Sequence, residues 1–217
     1  MLGEVMRREL TPGASVLDLC TGSGMLAVMA ARHGAGEVVA VDISRAAMVS
    51  VALNAFVNRV RVRAVHGDLF EPVHGRRFDL IVSNPPYLPG DVDALPRRGL
   101  ARATEGGRDG RAFLDRICRE AGGHLTRGGS LLLVHSTVCG EHQTLRALCE
   151  HGLEATVALR RRGPLGPVLS ARAEWLRRQG MLLDGDQEEI LVIKARAPAR
   201  VVRGGPEARQ PAALTSS

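Results

Sequence analysis

The chain has 217 residues, 45% apolar and 24% charged, the balance of a soluble globular protein with room for one domain around one sizeable core. No apolar run approaches the roughly 20 residues of a membrane span, and "MLGEVMRREL" has no signal-peptide layout, so a cytoplasmic protein without membrane contact is expected. The net charge of +6 suggests nucleic acid, but Lys194 is the sole lysine among 29 basic residues, which reads as an arginine-rich compositional bias. Arginines gather at Arg97, Arg98, Arg102, Arg108 and Arg111 and again at 160–162. Both clusters are expected to be solvated faces, with an acidic ligand such as RNA or the ribosome as the competing reading. Aromatics at 3% are too few for base-stacking platforms, and four cysteines without a C-x-x-C pair signal no zinc site.

Elements alternate along the chain. "SVLDLC" (15–20) reads as a buried strand ending at "TGSG", and "MLAVMAARHG" (25–34) has helical spacing with a glycine stop. "EVVAVD" (37–42) is the second strand. The segment 44–58 opens on Ser44, a good N-cap, and sets Ala47, Met48, Val51 and Ala55 on one helical face. Strands are expected at 61–68 and 78–83, a helix at 110–125, strands at 129–136 and 154–160 with a helix at 141–151 between them, a short late helix, and a last strand at 188–195. Strands separated by helices mean βαβ units and a parallel sheet. One domain is expected over 1–195 and a disordered tail, rich in Ala, Pro and Arg, over 196–217.

"LDLCTGSG" places Gly22 and Gly24 between a strand and a helix, where the backbone must turn tightly and a ligand can approach it. Asp42 closes the second strand, where a carboxylate accepts both hydroxyls of a ribose. By spacing alone "GSGMLA" also fits a nicotinamide site. Asp18, inside the first strand end, can meet an ammonium or brace the loop, and Asp68 in "HGDLF" can take the amine of an adenine. Three acidic residues at neighbouring strand ends suit the cationic sulfonium of S-adenosylmethionine (SAM) and suit a pyrophosphate badly.

"SNPPY" (83–87) ends the fourth strand in an amide, two prolines and the only tyrosine. A delocalised nitrogen is a poor nucleophile toward an activated methyl. Two acceptors gripping its N–H bonds can turn its lone pair onto the methyl axis. Asn84 Oδ1 and the Pro85 carbonyl can supply those acceptors. The prolines stiffen the segment, and Tyr87 can stack on a planar group and exclude water. Other residues read more plainly. His66 and His74 are structural, His135 is core or rim, Trp175 is packing, and Glu105 is either a substrate contact or the anchor of its glycine turn.

In this order "DLCTGSG", "VDIS", "GDLF" and "SNPPY" resemble the class I SAM-dependent methyltransferases that modify amino groups, which include N6-adenine methyltransferases and HemK-like release factor glutamine N5-methyltransferases. "TEGGRDGRAFLDRI" (104–117) is similar to the glutamine branch, and the ending from "RRGPLGPVLSARAEWL" to "EEILVIKA" resembles its short form without an N-terminal helical domain. Over about residues 11–195 the resemblance implies an α/β, Rossmann-like, seven-stranded, mostly parallel sheet of order 3-2-1-4-5-7-6. Strand 7 is antiparallel, and helices lie on both faces. It implies SAM as cofactor, with Thr21, Gly22 and Gly24 at the methionine portion, Asp42 at the ribose with Ile43 beside it, and Asp68 with Leu69 at the adenine. Asn84, Pro85, Pro86 and Tyr87 would hold the substrate amide, Asn84 would contact the cofactor as well, and Asn84, Pro85 and Tyr87 are the catalytic set. The implied substrate is the Gly-Gly-Gln loop of a release factor, and short-branch relatives in some lineages pair with a small zinc-binding activator subunit. Those relatives carry a longer segment ahead of the first strand. Here only "MLGEVMRREL" precedes it, so either the start is internal to a longer protein or the cofactor pocket is unusually open. The same clamp also suits an adenine of DNA or RNA or a small-molecule amine, and a non-enzymatic SAM-binding scaffold is the remaining reading.

Overall fold

The computed structural model describes residues 1–90, 99–182, 185 and 187–199. Arg97, Arg98 and the tail from 200 onward lie outside the described residues. Seven strands form one sheet: β1 (Ser15–Leu19), β2 (Glu37–Asp42), β3 (Arg63–His66), β4 (Phe78–Ser83), β5 (Leu125–Ser136), β6 (Glu154–Gly163) and β7 (Glu188–Arg196). Their order is β3-β2-β1-β4-β5-β7-β6, with β7 antiparallel to both of its neighbours and the pairs from β3 to β5 all parallel. That is the order and the polarity the resemblance implies. The helices are α1 (Leu2–Glu9), α2 (Met25–Arg32), α3 (Arg45–Val57), α4 (Gly99–Thr104), α5 (Ala112–Glu120), α6 (Glu141–Glu150), α7 (Pro167–Ala171) and α8 (Ala173–Arg178).

Central strands are apolar on both faces because helices cover both. Leu17, Ile81, Leu131, Leu133 and Ile193 pack on the side of α5 and α6, against Leu114, Ile117 and Leu148. The alternate residues, among them Val16, Leu80, Val82 and Leu132, face α1, α2 and α3. The period-2 alternation of strand side chains thus fills two cores from one sheet. α1 has no counterpart among the sequence expectations. Its Leu2, Val5 and Met6 bury one stripe on this second face, and its last residue, Glu9, takes an ion pair from Lys194 at 2.7 Å. On α3, Ser44 Oγ caps the helix by accepting from Ala47 N–H, and Ala47, Val51 and Ala55 are buried as the spacing predicts.

Several boundaries move for local reasons. α5 stops at Glu120, ahead of Gly122 and Gly123, where a helix of 110–125 was expected. β5 then starts at Leu125, so it is longer than 129–136. β6 runs on to Gly163, which places the arginines at 160–162 on a strand. They are exposed, with Arg160 paired to Glu141 and Glu189 and Arg162 to Glu189, a solvated face. β7 continues to Arg196, and Ala197 N–H still reaches Gly129 O at 2.9 Å. β3 forms one outer edge of the sheet, with Arg63 exposed on it and Arg59 and Arg61 exposed just before it.

The turn from β1 into α2 is closed by a buried acid. Asp18 Oδ2 accepts from Thr21 Oγ1 at 2.5 Å and from Ala27 N–H at 3.1 Å, while Oδ1 is buried without a partner among the described residues. Burial pushes the Asp18 carboxyl up from 3.8 to about 7. The folded protein therefore holds a proton that the unfolded chain releases. This contribution to stability is complete below about pH 4 and is lost as pH rises through about 7. Asp18→Asn keeps an acceptor for Thr21 and Ala27 but does not titrate. Urea unfolding from pH 4 to 8 should show wild-type stability falling relative to Asp18→Asn; parallel pH profiles would mean that Asp18 is ionised throughout.

Candidate functional site

The chain leaves β1 toward β2 and leaves β4 toward β5, so the two adjacent strand ends part and open a crevice at the carboxyl edge of the sheet. The last stitch before they part is Ser83 Oγ donating to Leu19 O at 3.0 Å. Beyond it the β1 loop turns through positive φ at Cys20, Gly22 and Gly24. Gly24 faces Val51 of α3, where a Cβ would come within 2.9 Å of Cγ2, so this glycine lets α3 close on the loop. At Gly22 a Cβ would meet nothing within 4 Å, and its N–H donates to Asp42 Oδ2 at 2.9 Å. Asp42 Oδ1 accepts from Ser44 N–H at 2.9 Å, so one carboxylate ties the first loop to the start of α3. His66 Nε2 lies 3.0 Å from Ile43 O, stitching the β2 and β3 tips together, in keeping with a structural role.

A cavity of about 450 Å³ lies over these tips, lined among others by Gly22, Asp42, Ile43, Asp68, Leu69 and Asn84. Pro86 and the apolar ring of Phe113 complete its wall. Two carboxylates, one open glycine and an apolar slot fit a cationic nucleoside. Asp68 is also held by Arg116 of α5, whose Nη1 lies 3.0 Å and 3.1 Å from its two oxygens. Arg116 was missed in the sequence because it lies 48 residues from its partner. Asp18 and Gly24 do not line this cavity; they hold the loop from behind.

A second cavity, of about 830 Å³, shares Cys20, Gly22 and Asn84 with the first and extends over Thr21, Tyr87 and the α1 residues Glu4 and Arg7. Asn84 stands at the junction. Its side chain is exposed and meets no hydrogen-bond partner among the described residues, whereas Pro85 behind it is buried. Tyr87 is half-buried and packs against both cores. Burial pushes its hydroxyl up to about 12, so it stays protonated and is no general base at neutral pH. His135 is fully buried, with Nδ1 2.8 Å from Ser136 O and its pKa held below the usual histidine value by burial. It belongs to the core.

The segment 104–111 backs this loop. Leu88 N–H donates to Thr104 O, Gly106 N–H to Leu88 O and Gly90 N–H to Gly107 O, at 2.7, 3.0 and 3.0 Å. A Cβ at Gly106 would come within 2.7 Å of the Pro86 carbonyl oxygen, and one at Gly110 would overlap that of Tyr87. Glu105 is buried and paired to Arg172, which makes it an anchor and not a substrate contact. Arg111 corrects one expectation outright. It is 2% exposed, not part of a solvated face, and its Nη1 donates to Cys139 O at 2.5 Å and Thr144 Oγ1 at 3.0 Å. Nη2 pairs with Asp115 at 2.6 Å. Cys139 Sγ in turn donates to Tyr87 O at 2.9 Å.

Residues 1–158 match the methyltransferase small domain family. A Methanocaldococcus jannaschii protein to which N5-glutamine methylation is ascribed is 35% identical over 73% of this chain and 80% of its own. A ribosomal protein uL3 glutamine methyltransferase of Bradyrhizobium diazoefficiens is 45% identical over 54% of this chain and 39% of its own. A release factor glutamine methyltransferase of Geobacter sulfurreducens is 40% identical over 60% and 48%. The chain thus spans less than half of these two bacterial relatives. The solved Mtq2–Trm112 complex of E. cuniculi, which methylates the eRF1 termination factor, superposes with a TM-score of 0.62 over 90% of this chain and 92% of that one, and at 23% identity this speaks for the fold alone. A family match along most of the chain, on a sheet of this order with a cavity at its switch point, makes this a member of the methyltransferase small domain family, HemK-like class I enzymes that take their methyl group from S-adenosylmethionine.

Proposed function

We propose that this chain methylates the side-chain nitrogen of a glutamine in a protein of the translation machinery, a release factor or the ribosomal protein uL3. The observation that carries the reading is Asn84, a carboxamide without a hydrogen-bond partner among the described residues, standing between the two cavities. When bound, SAM supplies a methyl on a sulfonium, an electrophile that needs no further activation. The work left to the protein is to present a poor nucleophile. Asn84 Oδ1 and the Pro85 carbonyl accept the two amide N–H bonds and loosen the conjugation of that nitrogen. With SAM bound, the lone pair so presented would form the N–C bond as the methyl's C–S bond broke toward sulfur, and the surplus proton would leave to solvent. Tyr87, neutral and part-buried, walls off water. Asp42 and Asp68 hold the nucleoside. Relatives named for glutamine methylation support this acceptor. A nucleic-acid acceptor draws less support, because Arg111 is spent inside the fold.

The direct test incubates the protein with labelled SAM and, separately, purified release factor and uL3, and maps any methyl by mass spectrometry. Label on a glutamine of either is expected; label on neither would overturn the reading. Asn84→Ala should cut turnover by roughly 100- to 1,000-fold, with S-adenosylhomocysteine affinity within about threefold of wild type by calorimetry. Gly110→Ala places a Cβ on the Tyr87 carbonyl oxygen at a φ of 75°, so it should lower stability by about 1–3 kcal/mol and reduce turnover as well, as chemical denaturation and a methylation assay would show.

A further inference from the structure

The stretch between β6 and β7 has no part in the site as described, yet one of its side chains returns to it. α7 and α8 meet at Arg172, and Leu169, Leu176 and Leu182 around that joint form a small third core. Leu88, directly beyond the Asn84–Tyr87 segment, packs against this core with Trp175. Arg172 lies across the same place. Its Nη1 donates to Pro89 O at 2.7 Å, and its Nη2 makes a close ion pair with Glu105 Oε1. Pro89 and Glu105 flank the two sides of the pairing in which Leu88 N–H meets Thr104 O and Gly106 N–H meets Leu88 O. One planar guanidinium therefore pins both sides at once, in a fixed fork that a freely rotating ammonium does not present.

We propose that Arg172 is a positioning residue for methyl transfer, setting the orientation of Asn84 by holding Pro89 and Glu105 in register. This rests on the reading of Asn84 as the amide acceptor. From Asn84 to Pro89 the chain reads Asn-Pro-Pro-Tyr-Leu-Pro, so three of the five residues after Asn84 have a fixed φ. A segment with so few soft dihedrals transmits the placement of its far end to its near end. Tyr87 is held independently by Cys139 Sγ, which leaves Pro89 as the end that only Arg172 fixes by a side-chain bond among the described residues. Glu105 is buried under the pair, so the guanidinium also keeps a carboxylate neutralised behind the loop.

The test is Arg172→Lys, which keeps the charge and loses the fork, with Glu105→Gln as the second variant. Hydrogen exchange should speed up at the Leu88, Gly90 and Gly106 amides of Arg172→Lys by about tenfold or more, and stay unchanged at Val28 in α2. Turnover on the protein acceptor should fall by about 10- to 100-fold, with S-adenosylhomocysteine affinity within about twofold of wild type. Glu105→Gln should shift both readouts in the same direction and by less. Unchanged exchange at the three amides overturns the proposal, and so does wild-type turnover. Loss of S-adenosylhomocysteine affinity in step with turnover also overturns it, since that marks general loss of structure. If the wild-type protein methylates neither release factor nor uL3, the assigned acceptor falls, and the exchange measurement decides the role of Arg172 by itself.

Discussion

Two strands that pair side by side and then lead their chains apart set the terms for everything else in this molecule. β1 and β4 share register from Val16–Leu80 to Leu19–Ser83, and beyond that pair the two chains turn away toward β2 and β5. A crevice at such a point costs nothing to keep open, because the connections that might fill it are drawn off to opposite sides. The β1 loop forms one lip, and the Asn84–Tyr87 segment forms the other. Each lip then needs its own support, since neither belongs to a regular element.

The supports differ in kind. The β1 loop is held by carboxyl groups and by glycine: Asp18 from beneath, Asp42 from the neighbouring strand, and Gly24 where α3 comes too close for a side chain. The other lip is held by backbone pairing, by Cys139, by the buried Arg111 and by the part-buried Arg172. These arginines are not a phosphate-binding face. Both spend their donors on carbonyls and carboxylates of the chain itself, which explains how a protein this basic can hide cationic groups.

Sequence patterns reveal elements better than they reveal partners, and this chain illustrates why. The strands were legible in apolar runs, the sheet order followed from the resemblance that the motif order carries, and Asn84 could be set at the end of β4 but not between two hollows. Leu2, Val5 and Met6 have the spacing of a helical face, a pattern too short to stand out at the start of the chain. Arg111, Arg116 and Arg172 were not readable. Arg116 sits 48 residues from Asp68, Arg172 sits 83 from Pro89, and no local rule links such pairs. Gly106 and Gly110 of "EGGRDG" had a legible type but not a legible reason, which is the carbonyl oxygens of Pro86 and Tyr87 lying directly against them. Asp18 and Gly24 fall between these cases. Their location at the loop was visible, while their facing away from the cavity needed coordinates.

The outer edge strand has a consequence for how the molecule meets its own kind. An unpaired strand invites another copy to dock and extend the sheet, and α3 beside it leaves Val49, Leu53, Phe56 and Val57 uncovered, a surface that would reward such contact. Arg63 on that strand, with Arg59 and Arg61 exposed just ahead of it, lays positive charge along the same edge. Like charge on an edge strand disfavours pairing with a second copy.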